Sequence, residues 1–557
     1  MDFRHLQPPS PLAATLEPEQ AALVAELLGA RALVPIHHGG YAIDPWYRPV
    51  AEPIERFEAA TRERSYEARI LEPGESSSRC PRRWNPEQAA ARIALPRMAR
   101  ATERQLDRDR LSGLLEEEER RFIEQHPGSQ QLFERGEKAL LAGVPMPWMT
   151  EWAGPFPVFA ASAEGARFTD VDRNEYVDLC LGDTGAMTGH SPAPTVRAVS
   201  ERAAHGITLM LPTEDSSWVA AELGRRFGLP RWQFALTATD ANRFALRLAR
   251  AITGRPRVLV YAWCYHGTVD ESFAIAVEGE TRSRPDNIGP PVDPAVTTRA
   301  VEWNDLEALE RALEPGDVAC VLAEPAMTNA GIVLPDPGYH EALRELTRQH
   351  GTLLVIDETH TFCAGPGGYT AAAGLDPDLL TIGKAIAGGI PAAAYGMTEE
   401  VAERITAYLD GLEASDVGGI GGTLAANALS LAAARATLQE VLTDEAFEHM
   451  TRMAERFEAG VNEAIAAHGV AWNSVRLGCR VEYHFQASPP RNGSEAHAAD
   501  DKALGRYMHL HALNRGILLT PFHNMALMCP ATAEADVDRH TEAFGEAVAA
   551  LTDTNSG

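Results

Sequence analysis

The lysine content of this chain points to one residue suited to amine chemistry. Its 557 residues include 50 basic residues, of which only Lys138, Lys384 and Lys502 are lysines. Lys138 and Lys502 lie in charged, helix-like stretches, where a solvated side chain is a sufficient interpretation. Lys384 lies in LLTIGKAIAGGIPAAAYG, which contains no other charged residue. An amine with little charge around it can lose its proton and act as a nucleophile or Schiff-base former. A lysine that caps a domain surface is the alternative.

Two further motifs follow apolar segments that are typical of strands. Asp357 ends LLVID, and a carboxylate at the carboxyl end of such a strand lies where ligands bind in α/β sheets. It could keep a heteroaromatic nitrogen protonated, or it could simply cap the next turn. Thr237, Ala238 and Thr239 lead another strand-like run into DANRFALRLAR. Free amides and hydroxyls at the start of a helix suit a phosphate, although an ordinary helix cap explains the same residues.

The motif YHG places Tyr265 and His266 directly after a third strand-like segment. An aromatic face there could cover a flat ligand, whereas a buried tyrosine is the alternative. Cys264 and His266 do not have the spacing of a metal site. Together the four motifs predict a pyridoxal phosphate pocket, with a Schiff-base lysine, a partner for the pyridinium nitrogen, a phosphate site and a stacking ring.

In the order of these motifs the sequence resembles the class-III aminotransferases, a family of fold-type-I pyridoxal phosphate enzymes. The resemblance is closest to the branch that contains glutamate-1-semialdehyde aminomutase, and it runs from about residue 130 to 550. The matching stretches are TATDANRFALRLARAITGR, YHG, AEPAMTNAGIVLPDPGY, LLVIDETHT, GKAIAGGIPAAAYG and GGTLAANALSLAAA.

The resemblance implies a role for each residue of these motifs. Lys384 would form the Schiff base with the cofactor and then move the reacting proton, and Asp357 would pair with the pyridinium nitrogen. Tyr265 would stack on the ring, with His266 beside it. The other residues implied to lie at the cofactor are Thr237, Ala238 and Thr239 at the phosphate, Glu324 near the active site, Thr359 at the ring face, and Thr423 at the phosphate of the neighbouring subunit. A site completed by two chains implies a homodimer.

Several positions depart from the family's pattern. Thr359 replaces the valine that usually packs on the ring face, and Ala238 replaces the glycine of an SGTEA-type motif. Met149 stands where a GGVNSPVR-like stretch has the arginine that binds the substrate carboxylate. Loss of this clamp argues against glutamate-1-semialdehyde itself and favours a more apolar substrate or a carboxylate bound elsewhere.

Two further segments are candidate walls of the substrate pocket. Trp148 precedes Met149, and His523 lies in TPFHNMALM at residues 520–528. Packing in the protein core is the alternative interpretation for both segments.

The elements that position these residues predict an α/β protein. From about residue 150, short apolar runs alternate with helical patterns, as expected of strands covered on both faces. FTDVDRNEYVDLCLG predicts a hairpin. The predicted fold is a fold-type-I transferase, with a large doubly wound α/β domain, a smaller α+β C-terminal domain and an N-terminal extension. The predicted segments are 1–76, an N-terminal remnant; 77–97, a linker; 98–200, a helical arm and part of the small domain; 201–430, the large cofactor-binding domain; and 431–557, the C-terminal small domain.

Residues 16–76 carry a second resemblance, to the C-terminal end of a metallo-β-lactamase-fold hydrolase. In that family the PIHHG region carries a late metal ligand, here His37 or His38. The HxHxDH cluster that supplies most of the ligands is absent from this sequence, so we predict no metal site. The segment is interpreted as a remnant that takes no part in the chemistry.

Composition excludes several functional classes. The net charge of −28 argues against nucleic acid as a partner, and no apolar run approaches the roughly 18–20 residues of a membrane span. Seven scattered cysteines and the lack of a secretory leader pattern favour a cytoplasmic protein. The sequence therefore predicts a cytoplasmic, homodimeric, pyridoxal phosphate-dependent aminotransferase acting on small amines or amino acids and on keto or aldehyde acceptors. The alternatives are a 2,1-aminomutase, a metal-dependent hydrolase working through the N-terminal segment, and a non-catalytic pyridoxal phosphate-binding protein.

Overall fold

The computed structural model divides the chain into two compact units, Met1–Arg100 and Ala101–Gly557. In the first unit it describes only two short strands, which pair in parallel. In the second unit it describes residues 106–412 and 418–553. His37, His38 and the predicted linker lie outside the described residues, as does most of the segment interpreted as a hydrolase remnant.

The described residues of the two units contain the following strands and helices. The strands in chain order are β1 (Ala32–Leu33), β2 (Glu67–Ala68), β3 (Ala160–Glu164), β4 (Arg167–Asp170), β5 (Glu175–Asp178), β6 (Arg231–Ala235), β7 (Arg257–Tyr261), β8 (Ala274–Val277), β9 (Glu280–Ser283), β10 (Thr298–Val301), β11 (Val318–Ala323), β12 (Leu353–Asp357), β13 (Leu379–Ile382), β14 (Ala393–Met397), β15 (Asn473–Leu477), β16 (Arg480–His484), β17 (Ile517–Leu518) and β18 (Met525–Leu527). The α-helices are α1 (Arg108–Gln125), α2 (Pro127–Gly136), α3 (Ala193–Ala204), α4 (Glu214–Phe227), α5 (Ala238–Thr253), α6 (Pro294–Thr297), α7 (Leu306–Leu313), α8 (Tyr339–Gln349), α9 (Gly368–Ala373), α10 (Glu399–Asp410), α11 (Ala428–Ala436), α12 (Asp444–His468), α13 (Gly493–Ala498), α14 (Lys502–Leu513) and α15 (Glu534–Thr552).

A central sheet has the strand order β10-β7-β11-β12-β13-β14-β6 and is parallel except for β14. Apolar clusters cover both of its faces. Leu248 of α5 joins Val258 of β7 on one face, whereas Leu309 of α7 and Leu343 of α8 join Leu259 on the other. Neighbouring residues of β7 therefore point to opposite cores, and the structure confirms the predicted doubly wound α/β arrangement.

The direction of β14 brings the candidate residues to one edge of this sheet. Because β14 is antiparallel to both β13 and β6, those two strands point the same way. The carboxyl ends of β6, β7, β11, β12 and β13 consequently lie along the same edge. They lead into Thr237, Tyr265, Glu324, Asp357 and Lys384 respectively.

One predicted element has different bounds in the structure. The strand-like run before DANRFALRLAR is shorter than FALTAT, residues 234–239, because β6 ends at Ala235 and Thr237 caps α5. The Thr237 hydroxyl accepts a hydrogen bond from the Asp240 amide at 3.2 Å, which satisfies a free N–H of the first helical turn. The second half of FALTAT thus belongs to the start of the helix.

Two smaller sheets join segments that are distant in sequence. The predicted hairpin is confirmed as β4 and β5, and it continues into a sheet of order β17-β5-β4-β3. Strands β15, β16 and β18 form an antiparallel sheet that α12 packs against. None of the described helices is long and apolar enough to cross a membrane.

Arg226, near the end of α4, connects this helix with two later segments. Its Nη2 donates to the carbonyl oxygens of Leu438 and Leu442 at 2.7 and 3.0 Å, and its Nη1 donates to that of Pro366 at 3.2 Å. Its Nε donates to Glu222 at 2.8 Å. The side chain is 3% exposed. One buried guanidinium therefore satisfies three carbonyls and one carboxylate.

Replacing Arg226 by methionine should lower the free energy of unfolding by about 3 kcal/mol, because the buried acceptors lose their donor. Arg225 pairs with the same Glu222, but its side chain is 62% exposed, so Arg225→Met should cost less than about 1 kcal/mol. Urea unfolding of both variants measures the difference. Equal losses would contradict the role given to Arg226.

Candidate active site

Lys384 begins a one-turn 3₁₀ helix directly after β13 and has a φ of +48°, a conformation that side chains other than glycine rarely adopt. Its Nζ lies 2.9 Å from Asp183 Oδ2 and 2.8 Å from His360 Nε2. At Gly383, a Cβ atom would lie 3.0 Å from the Ala238 Cβ. Glycine therefore lets the lysine turn approach the start of α5.

Asp357 is a buried carboxylate that stays ionised. Its Oδ2 accepts from Asn242 Nδ2 at 2.8 Å and lies 2.9 Å from His266 Nδ1, and its Oδ1 accepts from the Thr359 amide at 3.0 Å. Burial alone raises the pKa of this carboxyl, but the contact with His266, together with those of Thr359 and Asn242, outweighs burial and lowers the pKa to about 2. Oδ1 keeps a lone pair with which it can accept from a protonated ring nitrogen.

His266 supports Asp357 from within the protein. Its Nε2 is buried and has no hydrogen-bond partner among the described residues. Burial opposes the charged imidazole, but Cys264 and Asp357 outweigh it and raise the pKa of His266 well above its usual value. Asn242 also donates to the His266 carbonyl at 3.2 Å and accepts from the Thr381 hydroxyl at 2.6 Å. His266, a predicted cofactor residue, thus contacts Asp357, the predicted partner of the ring nitrogen.

The start of α5 offers backbone amides for a phosphate. The Thr237 hydroxyl donates to Asp240 Oδ2 at 2.8 Å, and the Thr239 hydroxyl accepts from the Thr268 amide at 3.1 Å. Gly267 has a φ of +75°, and a Cβ atom there would lie 2.1 Å from Thr239 Oγ1. The loop after β7 can pack on the start of α5 only with glycine at this position. The Thr237 hydroxyl uses its proton on Asp240, whereas the Thr239 hydroxyl only accepts and can still donate to an anion beside the amides of the first helical turn.

The remaining walls of this edge suit a flat aromatic group. Tyr265 is half-buried, with its ring centroid 6.2 Å from that of Phe273 in an edge contact. Thr359 is buried, and its hydroxyl has no hydrogen-bond partner among the described residues. With the Lys384 amine, the free Asp357 lone pair and the helix amides, these residues fit a phosphorylated heteroaromatic aldehyde.

Glu324 follows β11 and is buried near both His266 and Asp357. It accepts hydrogen bonds from the Thr328 amide at 3.2 Å and from the Thr328 hydroxyl. Burial raises the pKa of Glu324 to about 7, against the opposing influence of His266. This carboxyl therefore titrates near neutral pH.

The structure brings the candidate substrate-pocket segments together. Trp148 is 43% exposed, and its ring centroid lies 5.8 Å from that of Phe522 in an edge contact. Met149 is partly buried on the same short helical turn. His523 Nδ1 lies 3.4 Å from Glu482 Oε1.

Thr423, expected to reach the neighbouring subunit, is exposed in this single chain. Within the described ranges of the second unit, no group of three or more histidine, cysteine, aspartate or glutamate side chains could hold a metal ion.

Sequence reasoning missed three residues that surround Lys384. Asp183 and His360 contact its amine, and the fully buried Arg480 places Nη1 3.2 Å from His360 Nδ1. Burial raises the pKa of Asp183, but Lys384, His360 and Arg480 outweigh it and hold that pKa well below its usual range. A sequence signal was available for Asp183, because it is the only carboxylate in LGDTGAMTGH, a loop of small residues directly after a predicted strand.

Comparisons with known proteins agree with this geometry. A family model described as Aminotransferase class-III matches residues 148–548. A glutamate-1-semialdehyde 2,1-aminomutase of Roseiflexus castenholzii is 36% identical over 399 residues, which are 71% of this chain and 90% of that protein. The family match begins at residue 148, so it does not test the hydrolase resemblance of residues 16–76.

Solved structures that are similar to this chain indicate the same family. A glutamate-1-semialdehyde aminomutase from Pseudomonas aeruginosa PAO1 is 50% identical, with a TM-score of 0.79, and the match covers 80% of this chain and 99% of that one. A variant of that protein was solved in complex with PMP. A β-phenylalanine aminotransferase from Variovorax paradoxus is 28% identical, with a TM-score of 0.70, and the match covers 78% and 97% of the two chains.

The pKa of Glu324 predicts a pH-dependent stability that Glu324→Gln removes. Because the folded pKa is about 7 and the unfolded value is lower, this group's stabilisation is complete in acid and is lost as pH rises from about 4.5 to 7. Relative to wild type, the variant should therefore gain on the order of 3 kcal/mol in unfolding free energy between pH 4.5 and 8. Urea unfolding of the cofactor-free protein, with the exposed Glu314→Gln as control, measures this gain. A gain that does not vary with pH would refute the assignment.

Proposed function

The chain belongs to the class-III aminotransferase family, and we propose that it moves an amino group from an amine or amino-acid donor to a keto or aldehyde acceptor. Its fold is that of the fold-type-I pyridoxal phosphate enzymes, and its cofactor is pyridoxal phosphate. Both features were predicted from the sequence. The direction and specificity of the reaction, and the role of each residue, are the subject of the proposal.

The observation that carries the proposal is the placement of Lys384 and Asp357 at the carboxyl ends of the adjacent strands β13 and β12. Asp357 pairs in register with Thr381, and Lys384 follows three residues later along the same strand direction. The start of α5, which suits the phosphate, lies two strands away at the same edge. A primary amine, an ionised carboxylate and an anion site therefore lie along one edge of the sheet, where α/β proteins bind their ligands.

Each residue has a distinct task in the proposed reaction. When bound, pyridoxal phosphate supplies an aldehyde that condenses with amines and a ring that withdraws electrons from the carbon bearing the amino group. Lys384 would hold that aldehyde and, once the donor displaces it, carry a proton to and from the substrate carbon. Asp357 would keep the ring nitrogen protonated. Tyr265 would cover the ring, and the amides of α5 would bind the phosphate.

Asp183 and His360 would keep the lysine in place while it is free. Their contacts of 2.9 and 2.8 Å with Nζ hold the amine at the strand edge, where it can return the proton. The left-handed conformation of Lys384 adds to this restraint, because the backbone is fixed by the turn that begins there.

We further propose a cytoplasmic homodimer in which Thr423 reaches the phosphate site of the partner. This proposal is supported by the exposure of Thr423 and by its position after two glycines, Gly421 and Gly422, with φ of +132° and +133°. A glycine-rich turn at the surface presents its hydroxyl and amides outward, as an anion site shared with a second chain requires.

A 2,1-aminomutase is the second candidate function. It is favoured by the names of similar proteins, among them the glutamate-1-semialdehyde aminomutases of Roseiflexus castenholzii and Pseudomonas aeruginosa PAO1. It uses the same lysine and carboxylate but returns the amino group to the same carbon skeleton. Met149, in place of the family's carboxylate-binding arginine, favours the transfer reaction on another substrate.

Lys384→Ala should abolish transamination, lowering kcat by at least roughly 10²–10⁴-fold, because no other described amine lies at the strand edge. The wild-type protein should show the visible absorption band of the bound cofactor, and borohydride should attach that cofactor covalently to the chain. In the variant, borohydride should attach no cofactor. Lys502→Ala provides the matched control and should retain both properties. Fixation that persists in Lys384→Ala would place the cofactor on a different lysine.

Product stoichiometry separates the two reactions. With a donor but no acceptor, a transaminase should form about one carbonyl product per active site and then stop, because the amino group remains on the cofactor. Addition of a keto acid should restart turnover. Glutamate-1-semialdehyde supplied alone should give no sustained isomerisation. Continued turnover to its isomer without an acceptor would establish the aminomutase instead.

A further inference from the structure

His360 lies between Lys384 and Arg480 and faces each of them with a different ring nitrogen. Its Nε2 lies 2.8 Å from Lys384 Nζ, and its Nδ1 lies 3.2 Å from Arg480 Nη1. The Thr184 hydroxyl is 3.0 Å from the same Nδ1. The His360 side chain is 12% exposed, and Arg480 and Thr184 are fully buried. These contacts therefore have little competition from water.

The imidazole of His360 is neutral. Burial lowers its pKa well below the usual value, and the positive charges of Lys384 and Arg480 lower it further, against the opposing influence of Asp183 and Asp357. A neutral imidazole has one nitrogen that donates and one that accepts. The two nitrogens of His360 therefore cannot both donate or both accept, and the partner of one nitrogen decides what the other can do.

The three partners of His360 differ in what they can offer. Arg480 can only donate, because a guanidinium has no acceptor, whereas the Thr184 hydroxyl can donate or accept. A lysine ammonium can only donate to Nε2, but an unprotonated lysine amine has a lone pair that can accept from it. With the lysine as an ammonium, the imidazole proton must be on Nδ1, where Thr184 can accept it and Arg480 cannot. With the lysine as an amine, the proton can be on Nε2, and Nδ1 then accepts from Arg480.

Other charged and titratable groups surround these contacts. Asp183 Oδ2 pairs with Lys384 Nζ at 2.9 Å, and its Oδ1 lies 3.7 Å from His360 Nδ1, which is beyond hydrogen-bond distance. The remaining groups that act on this network are Asp357, Glu482 and His523. The charge of Asp183 favours the ammonium form of the lysine, whereas the contact between Arg480 and Nδ1 favours the amine. Thr184 is uncharged, so a substitution there alters the balance of tautomers and leaves every charge in place.

We propose that His360 is a positioning residue that changes tautomer with the charge of Lys384 and thereby lets Arg480 favour the uncharged amine. When the ammonium gives a proton to Nε2, the Nδ1 proton leaves the ring, and one proton is released to water overall. Arg480 then gains an acceptor that it lacks while the lysine is charged. The inference rests on the proposed function, in which the free Lys384 takes up a proton from the substrate carbon, because only the uncharged amine can do so.

Trace labelling of the cofactor-free, full-length protein with acetic anhydride measures the uncharged amine across a range of pH. Only unprotonated amines react, and the chain has three lysines, so peptide mass spectrometry compares Lys384 with the exposed Lys138 and Lys502 in the same sample. Thr184→Val removes the acceptor of the Nδ1 proton and should destabilise only the ammonium form. Below the wild-type midpoint of labelling, the Lys384 rate should therefore rise roughly three- to tenfold, the factor expected for one hydrogen bond. An unchanged or lower rate would overturn the inference.

Two variants of the same loop serve as controls. Thr184→Ser keeps the hydroxyl and should label like wild type. Thr188→Val makes the same change at another buried threonine, whose hydroxyl donates to the Gly189 carbonyl at 3.0 Å, and it should also label like wild type. Equal increases in Thr188→Val and Thr184→Val would show that any loosening of the loop exposes the lysine, which contradicts a role for the His360 tautomer.

A double-mutant cycle separates the tautomer from the charge of Arg480. Glutamine at position 360 can donate to the lysine or accept from it, but it has no second ring nitrogen for Arg480. Arg480→Met should lower the Lys384 labelling rate roughly tenfold in the wild-type background and less than about threefold beside His360→Gln, where only the direct effect of the charge remains. Equal reductions in both backgrounds would refute the coupling.

The labelling experiment is independent of catalysis. If Arg480→Met does not fold, the Thr184 variants alone decide the outcome. If Lys384 labels as expected but the cofactor-loaded protein transfers no amino group from any donor, the proposed function fails and the tautomer change stands. If the protein transaminates but Thr184→Val labels like wild type, the proposed function stands and the tautomer change is wrong.

Discussion

The site depends on keeping a carboxylate ionised inside the protein. Asp357 ends a strand that is buried along its whole length, where burial alone would favour the neutral acid. Asn242, His266 and the Thr359 amide supply the donors that prevent this. Each comes from a different element, because Asn242 lies on α5, His266 follows β7 and Thr359 follows β12. The strand order of the central sheet brings these elements together and therefore also keeps Asp357 ionised.

Lys384 is restrained in a different way. Its backbone has a left-handed conformation, and its amine lies between Asp183 and His360, of which His360 also contacts Arg480. These partners come from the loop after β5, the turn after β12 and the β15–β16 hairpin. The antiparallel C-terminal sheet thus contributes directly to the surroundings of the lysine, although the lysine itself belongs to the central sheet. Asp357, the proposed partner of the ring nitrogen, and Lys384, the proposed proton carrier, have separate supporting networks.

The parts of the site that could be predicted are those in which local sequence carries the information. Asp357 ends a continuous apolar strand, and Lys384 is the only charge in its segment, so both were identified from sequence. The alternation of apolar runs and helical patterns also gave the doubly wound fold. Asp183, His360 and Arg480 could not be placed, because their contacts join residues 120 and 201 positions apart. The end of β6 could not be placed from sequence, because threonine suits both a strand and a helix N-cap, so residues 237–239 fit either element.

The 3.9 Å separation of Asp183 and Arg480 has a mechanical consequence. The two groups are carried by different sheets, since Asp183 follows β5 and Arg480 begins β16. A relative displacement of about 1 Å would bring them to hydrogen-bond distance. The Leu527 amide in β18 donates to the carbonyl of Leu179, directly after β5, at 2.8 Å. The junction of the two smaller sheets therefore acts as a spacer, and substitutions there should change the charges around the lysine amine without altering any group in contact with it.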